Sequence, residues 1–374
     1  MGECMKRRDF IGKLGVGSVA GAGLLTGCGR ESETATAAEP QTKAQTFEWK
    51  MVTTWPKNFP GMGTGANNLA RLIGEMSGGR INVKVYGDRE LVPAFEAFDA
   101  VSRGLAQMGH GASYYWKGKS EAAQFFAAVP FGLTAQEMNG WLYHGGGMEL
   151  WREIYGEFGL IPTAAANTGV QMGGWFNKEI NSLEDLKGLK MRIPGLGGEV
   201  LERLGGTPVS LPGGEIFTSL KSGAIDATEW VGPYNDLAFG LYEAAKYYYY
   251  PGWHEPGTTL ECFINRDAFE ELPKDLQSVV TNACKVANLD LLSEFTARNN
   301  EALDALVNQH GVELRRFPDD VLKQLHAISN EVVAEIAQKD PVSRKVYDSF
   351  KTFRDQVIAW HDVSERAYLN ARAL

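Results

Sequence analysis

The chain has 374 residues, of which 44% are hydrophobic and 22% are charged, as is ordinary for a globular protein. Its formal net charge is −9 at pH 7, and no basic run follows the first residues, which argues against a nucleic-acid partner. A chain of this length is too long for one small core and suits two lobes.

The first residues, up to residue 46, form a targeting segment and a tether rather than part of the fold. Lys6-Arg7-Arg8-Asp9-Phe10-Ile11 precedes a glycine-rich, mildly apolar run that is too short to span a membrane, which is the twin-arginine export pattern. Leu25-Thr26-Gly27-Cys28 is similar to a bacterial lipobox. We therefore expect cleavage before Cys28 and lipid on that cysteine; the alternative is an ordinary signal with Cys28 unused. Residues 30–45 are polar and predict a disordered tether.

Strands and helices alternate directly after the tether. Residues 47–53 and 81–86 alternate apolar and polar side chains, which predicts strands. Residues 63–76 carry apolar side chains at helical spacing, residues 93–105 begin a helix with proline, and residues 106–112 predict a short strand. This order predicts a mostly parallel sheet, with ligand-binding residues at the carboxyl ends of its strands.

The middle of the chain continues the alternation, and the last third is mainly helical. Strands are predicted at 161–166, 170–176, 188–193, 209–211, 245–250 and 311–317, and an extended segment at 254–265. Helices are predicted at 134–155, 198–204, 214–222, 276–309, 319–338 and 342–371.

This order predicts an α/β protein of two hinged lobes, because the chain crosses between the lobes more than once. We predict that residues 47–166 and about 258–310 form lobe I, and that residues 167–257 and about 311–340 form lobe II. Residues 341–374 form a long C-terminal helix outside both lobes.

Two segments that contain glycine and proline hold the main candidate residues for a binding site. Residues 225–234 contain Glu229 beside a tryptophan, and residues 251–257 contain Glu255 near another. Carboxylates flanked by large apolar rings are costly to desolvate unless a cation, an arginine or a proton compensates them. Arg192, in an apolar strand, needs a carboxylate partner in turn; a structural salt bridge within its own domain is the alternative. The pattern predicts a small enclosed site for an anion and a metal ion, although solvated loop glutamates are the simpler interpretation.

Motifs of the common catalytic sites are missing from the sequence. It has no Gly-x-Ser-x-Gly elbow, no HExxH and no phosphate loop, and its six histidines lack metal-binding spacing. One enzyme hypothesis uses Glu229 and Glu255 as general acid and base on a sugar. A binding site fits better, because Arg192 would keep both carboxylates ionised.

Three further residues have open interpretations. Gln171 lies in a predicted strand whose neighbouring glycines allow close backbone approach, and a purely structural role is the alternative. Cys262 and Cys284 are the cysteines of the main body; they form either one bridge or two buried thiols.

The segments around the two glutamates resemble one transport family. Asp226-Ala227-Thr228-Glu229-Trp230-Val231-Gly232-Pro233-Tyr234-Asn235-Asp236 and Tyr250-Pro251-Gly252-Trp253-His254-Glu255-Pro256-Gly257 resemble the extracytoplasmic solute-binding subunits of TRAP (tripartite ATP-independent periplasmic) transporters, closest to the branch that binds 2-oxo acids. Gly188-Leu189-Lys190-Met191-Arg192-Ile193-Pro194 looks like the arginine motif of the wider family. The likeness extends from Trp49 to the last helices, whereas the leader departs from the family's usual simple secretory signal.

The resemblance implies a function and a set of roles. The fold would be the two-lobed periplasmic binding protein type, with hinge strands and long C-terminal helices through which homodimers can form. The protein would be no enzyme: it would deliver a small acid to the TRAP membrane subunits. Arg192 would bind the acid's carboxylate, and His110, Gly111 and Ala112 would form the wall of lobe I. A sodium ion would be held by Glu229, Glu255, Gln171 and the main chain of Trp230, with Gln171 and Trp230 also facing the substrate.

Charge alone leaves the ion open between sodium and calcium. Glu229, Glu255 and a ligand carboxylate carry three negative charges, against which Arg192 and sodium supply two positive charges, and Arg192 and calcium three. Oxygen ligands favour such hard cations over zinc or copper. A pyruvate-like 2-oxo acid chelates the ion through a five-membered ring, and lactate with calcium is the alternative.

Overall fold

A computed structural model describes residues 45–374, which form two β-sheets covered by helices. The twin-arginine, lipobox and tether predictions, including Cys28, lie outside the described residues. The strands, in chain order, are β1 Phe47–Thr53, β2 Ile81–Tyr86, β3 Met108–Gly111, β4 Leu160–Asn167, β5 Gly174–Phe176, β6 Lys190–Arg192, β7 Thr207–Val209, β8 Ala227–Thr228, β9 Tyr247–Tyr250, β10 Thr259–Asn265 and β11 Glu313–Arg316.

The first sheet has the strand order β2-β1-β3-β10-β4. β1 pairs parallel with β2 and β3, as the sequence predicts for alternating strands and helices. β10 runs antiparallel to both β3 and β4, because it enters this sheet from the second one rather than through a crossover helix. The register places Cys262 of β10 opposite His110 of β3.

The second sheet has the order β11-β9-β5-β8-β6-β7. β6 pairs parallel with β7 and β8, and β11 pairs parallel with β9. β5 is antiparallel to both of its neighbours, β8 and β9. The chain thus leaves the first sheet after β4, returns to it with β10 and contributes β11 to the second sheet.

Helices flank both sheets, and short 3-10 turns lie between them. The α-helices are α1 Met62–Met76, α2 Ala97–Ser102, α3 Ala135–His144, α4 Gly147–Gly156, α5 Gly195–Arg203, α6 Gly213–Lys221, α7 Pro233–Phe239, α8 Arg266–Glu270, α9 Lys274–Asp304, α10 Asp319–Ile336, α11 Pro341–Val363 and α12 Glu365–Arg372. Among residues 45–374, none of them is long and apolar enough to cross a membrane.

Two long predicted helices are each broken in the structure. The helix predicted over 134–155 is α3 and α4, because Gly146 adopts φ of 86°, a left-handed conformation in which glycine is favoured. Gly145 beside it has no room for a side chain: a Cβ there would lie 2.8 Å from the ring of Phe353. The helix predicted over 342–371 ends at Val363 and resumes as α12 after Ser364.

The strand predicted over 170–176 is wrong for most of its length. Only Gly174–Phe176 pairs in the sheet, and Gln171 lies in the irregular segment before it. The backbone of this segment bonds to other loops instead: Gln171 N donates to Glu255 O at 3.1 Å, and Met172 N donates to Val231 O at 3.0 Å. Gly252 N donates to Gln171 O at 2.9 Å. These tertiary bonds draw Gln171 towards both tryptophan-containing segments.

A stack of aromatic side chains joins the C-terminal part to the first half of the chain. The ring of Phe126 stacks on Trp151 at 5.0 Å and on Trp141 at 5.4 Å between centroids. Phe350 of α11 meets Trp141 edge-on at 5.3 Å and is fully buried. Further along α11, Trp360 is 63% exposed, while Val357 packs against the core and His361 contacts Glu137 of α3, so one face of the helix meets the body and the other faces solvent.

Candidate functional site

The candidate site is built where strands of both sheets end. Arg192 is the last residue of β6, and its register partner across the parallel β6–β8 pair is Thr228, directly before Glu229. Glu229 N donates to Arg192 O at 3.1 Å, which continues the ladder one residue past β8. Carboxyl ends of parallel strands lie at one sheet edge, so this pairing sets the two charged side chains side by side.

Arg192 is 1% exposed and each part of its guanidinium has a partner. Nη1 donates to Glu229 Oε1, Nη2 donates to the hydroxyl of Tyr115 at 3.2 Å, and Nε donates to Leu211 O at 3.2 Å. The guanidinium carbon lies 5.1 Å from the ring of Trp230. Burial alone would lower the pKa of Arg192, but the carboxylate of Glu229 raises it above its usual value. Arg192 is therefore a fixed positive charge inside the protein.

Glu229 is equally buried and faces a histidine on its other side. Its Oε2 accepts no hydrogen bond from any residue in the 45–374 range, and lies 3.5 Å from His254 Nε2. His254 is itself 1% exposed, and neither of its ring nitrogens has a hydrogen-bond partner there. A buried acceptor without a donor is costly, so this oxygen is suited to a cation.

Glu255 lies beside Glu229 and is bonded through one oxygen only. Its Oε2 accepts from Gln171 Nε2 at 2.8 Å and from Thr258 Oγ1 at 2.5 Å. Burial, followed by the charge of Glu229, raises the pKa of Glu255 to about 7. Burial and the neighbouring charge of Glu229 thus favour the protonated form of Glu255.

The side chains present fit a hard cation. Ligand atoms of Glu229, His254 and Glu255 lie within 4.8 Å of one another. Gln171 Oε1 is buried and accepts no hydrogen bond within the described part of the chain, so it offers a further neutral oxygen. Carboxylate and amide oxygens are the ligands of sodium and calcium, whereas the imidazole would also suit a transition metal.

Aromatic rings enclose the charged groups. Trp230 is 4% exposed, and its ring meets those of Trp55 at 6.1 Å, Phe59 at 6.3 Å and Phe239 at 5.2 Å. Its Nε1 is buried without an acceptor among the described residues. Such a wall excludes water, which strengthens every charge interaction inside it.

The end of β3, in the first sheet, is a further buried wall, which reaches the cluster through Trp55. His110 is fully buried, and its Nδ1 accepts a hydrogen bond from Trp55 Nε1 at 2.8 Å. Burial lowers the pKa of His110 to about 4, so its ring is neutral at physiological pH. A Cβ at Gly111 would lie 3.1 Å from Thr54 Cγ2, and Ala112 is fully buried, so this wall permits only small side chains.

The structure therefore brings Arg192, Glu229, Trp230, Glu255 and Gln171 into one connected cluster, with His110 linked to it through Trp55. Their roles in binding stay predictions. Sequence reasoning missed His254, Tyr115 and Thr258. His254 stands directly before Glu255, which was an available signal, whereas no spacing rule places Tyr115 of the first half beside Arg192.

Two cysteines and a second acidic site lie apart from this cluster. Cys262 and Cys284 are both buried free thiols.

Asp236 is buried between Trp175 and Tyr248, whose polar atoms donate to its Oδ2 at 2.9 Å and 2.7 Å. Burial raises the pKa of Asp236 to about 7. These bonds fix the helix that follows the Glu229 segment, which is a structural role.

The chain is similar in sequence to known bacterial solute-binding proteins. Residues 51–340 match the family model described as DctP, bacterial extracellular solute-binding protein, family 7. The chain is 44% identical over 366 residues to a monocarboxylate 2-oxoacid-binding periplasmic protein from Nostoc sp., covering 98% of each chain.

Solved structures of TRAP periplasmic solute-binding proteins are similar over most of the chain. The protein from Pseudoalteromonas atlantica, with bound sodium and pyruvate, is 46% identical, with a TM-score of 0.85 over 87% of this chain and 99% of that one. The protein from Colwellia psychrerythraea, with bound calcium and pyruvate, is 45% identical, with a TM-score of 0.85 over 87% of this chain and 100% of that one.

Proposed function

Because the chain belongs to the DctP family of bacterial extracellular solute-binding proteins, we propose that it captures a small 2-oxo acid together with a cation and delivers it to TRAP membrane subunits. Family membership makes it a periplasmic solute-binding protein and not an enzyme. It also confirms the α/β, two-lobed fold that the sequence predicts.

The observation that carries the proposal is the buried group of Arg192, Glu229 and Glu255. Two carboxyl groups are buried beside one guanidinium, so the group carries an excess negative charge whenever both carboxyl groups are ionised. A cation held by Glu229, Glu255, Gln171 and the main chain of Trp230 would neutralise it and attract the acid's paired oxygens. The acid's carboxylate would lie against Arg192, whose Nη2 faces Tyr115.

Pyruvate is the proposed ligand class, since two similar proteins hold pyruvate and a third is named for 2-oxo acids. The neutral ring of His110 would add no charge to the site, and the small residues Gly111 and Ala112 would leave room for the acid. Sodium is the proposed ion and calcium the alternative, because each accompanies pyruvate in one similar protein.

The site residues come from both sheets, which supports the closure of two lobes around the ligand. We assign residues 47–166 and about 258–310 to lobe I and residues 167–257 and about 311–340 to lobe II, with residues 341–374 outside both. His110 belongs to the first sheet and Arg192 to the second, so a ligand that contacts both favours the closed state.

Export and assembly complete the proposal. The twin-arginine leader would route the folded protein across the membrane, and lipid on Cys28 would hold it there, provided that more than one acyl chain is attached. Sequencing the mature N-terminus tests this: a soluble product that begins elsewhere would remove Cys28 from the proposal. Homodimers would form through α11 and α12, where Trp360, Val363 and Tyr368 are exposed.

The decisive experiment titrates exhaustively dialysed protein with pyruvate in sodium, potassium and calcium buffers by calorimetry. We expect binding without consumption of pyruvate, and an affinity that requires sodium or calcium. Equal affinity in all buffers, including one with chelator, would refute the cation site while leaving Arg192 as the anion ligand. Preference for longer 2-oxo acids over pyruvate would change the ligand within its class.

A further inference from the structure

A second cavity, of about 660 Å³, lies between α4, α8, the start of α9 and the start of β4. It shares no lining residue with the candidate site. A smaller cavity of about 170 Å³ adjoins it and shares Arg152, Thr163, Thr281 and Lys285 with it. Together they form a recess rather than a flat surface, which suits a small molecule or a single head group.

Four cationic side chains line the larger cavity: Arg152, Arg266, Lys274 and Lys285. Glu270 is the one acidic residue in its lining, and Glu149 lines the smaller cavity. The lining therefore carries more positive than negative charge, in a chain whose net charge is −9. Such a local reversal of sign concentrates anions at the cavity mouth.

These cations are not engaged in ion pairs. Within residues 45–374, none of the four has a carboxylate oxygen within 4.0 Å. Nearby acids are paired elsewhere: Glu153 with Lys345 at 2.6 Å and Asp275 with Arg80 at 2.5 Å. All four side chains are exposed, so water screens their mutual repulsion and their donors remain available to an anion.

The smaller cavity supplies an additional, neutral donor. The hydroxyl of Tyr143 is buried and has no hydrogen-bond partner in the described residues, and its ring lies 5.4 Å from Lys285 Nζ. Burial raises the pKa of Tyr143 to about 12, so the hydroxyl keeps its proton. An unpartnered buried donor beside unpaired cations is the environment that an oxyanion satisfies.

We propose that this recess binds a phosphate-bearing anion, either free in the periplasm or as the head group of an anionic phospholipid. A monocarboxylate would leave most of the positive charge uncompensated, whereas phosphate brings more charge and several acceptor oxygens. Arginine binds phosphate oxygens in pairs and lysine as a point charge, and both are present here. The site is independent of pyruvate capture, because its lining residues are separate.

The test measures binding of inorganic phosphate and pyrophosphate by calorimetry at low ionic strength, and binding to vesicles. Vesicles of phosphatidylglycerol with phosphatidylcholine are compared with vesicles of phosphatidylcholine alone. The variant Arg152→Gln with Lys285→Gln removes two of the cations. The matched control, Arg103→Gln with Lys178→Gln, removes the same charges at exposed positions that form no ion pair within the described chain. Thermal unfolding and pyruvate titration verify that both variants fold.

We expect saturable binding of at least one phosphate probe, weakened at least tenfold in the Arg152 and Lys285 variant and less than twofold in the control. Binding of the free anions alone identifies a soluble ligand, and binding of phosphatidylglycerol vesicles alone identifies a lipid head group. The proposal is overturned if wild-type protein binds none of the probes, or if the control variant loses as much affinity as the test variant.

Discussion

Arg192 and Glu229 form an ion pair in which each side chain is only 1% exposed, at the carboxyl ends of two neighbouring parallel strands. A carboxylic ligand that binds Arg192 must share the guanidinium with Glu229. A cation at Oε2 of Glu229, the oxygen that does not contact Arg192, would compensate for that sharing. Binding of the ion and binding of the acid would then be energetically coupled.

Replacing Arg192 with lysine should weaken pyruvate binding by roughly ten- to a hundredfold. Lysine keeps the charge but cannot donate to Glu229, Tyr115 and the ligand at once, and a charged hydrogen bond contributes about 1.5–3 kcal/mol. Calorimetry measures the loss. Arg203→Lys, in an exposed ion pair with Glu335, is the matched control and should bind normally. Unchanged affinity in a folded Arg192→Lys variant would exclude the arginine from the site.

Cation binding should strengthen as the pH rises from 6 to 8. The pKa of Glu255 is about 7 before the ion binds, raised from an ordinary value near 4.5, so a proton must leave for the cation to enter. At pH 6 this competition weakens the apparent affinity by about tenfold. Sodium or calcium titrations at several pH values measure the effect.

The same shift has a consequence for stability without the ion. A carboxyl group with a raised folded-state pKa binds more protons in the folded than in the unfolded protein between pH 4.5 and about 7. Ion-free stability should therefore fall across this window as the pH rises. Glu255→Gln should make this fall in stability less steep, since Asp236, whose pKa is also raised to about 7, keeps its own contribution, and it should flatten the pH dependence of cation binding. A pH dependence of cation binding retained in this variant would assign the proton to another group.

Two ion pairs bridge segments of the two sheets beside the site and should stabilise the closed state. Arg89, between β2 and α2, pairs with Glu215 of α6, and Lys117, after β3, pairs with Glu199 of α5 at 2.7 Å. Arg89→Gln with Lys117→Gln should weaken pyruvate binding roughly two- to tenfold, because each exposed pair contributes less than about 1 kcal/mol.

The effect of these pairs should diminish in high salt, which screens exposed charges. Calorimetry at two ionic strengths tests this dependence. Lys57→Gln with Arg80→Gln is a suitable control, since Lys57–Glu90 and Arg80–Asp275 each lie within segments of the first sheet. Equal losses in both double variants would show that general charge, not bridging, sets the affinity.

The exposed end of α11 should hold two copies of the chain together. Trp360 is 63% exposed and Val363 is 73% exposed, and Tyr368 of α12 is 65% exposed. Several exposed apolar side chains near one helix end are typical of an interaction surface. Light scattering should find a dimer of the wild-type protein and a monomer of Trp360→Glu. Leu289→Glu, at an equally exposed position on α9, should stay dimeric. A wild-type monomer at tens of micromolar would contradict this.

The sequence by itself determined the strongly periodic local elements and indicated which residues carry chemistry. Apolar periodicity is a property of neighbouring residues, so β1, α1, β2 and the long α9 could be predicted closely. The two glutamates beside tryptophans, and Arg192 in an apolar strand, stood out because burying their charges is costly without partners.

Only the tertiary structure decided how those residues meet. Gln171 leaves its predicted strand because its backbone bonds to Glu255 and Gly252, which lie some eighty residues further along the chain. Tyr115 reaches Arg192 from the 3-10 turn that follows β3, and His254 faces Glu229. The antiparallel entry of β10 likewise depends on pairing with β3 and β4. Such contacts join segments that are far apart in the chain. The local sequence pattern of one segment does not indicate which other segment it will meet, because hydrogen bonds formed in the folded protein bring the two together.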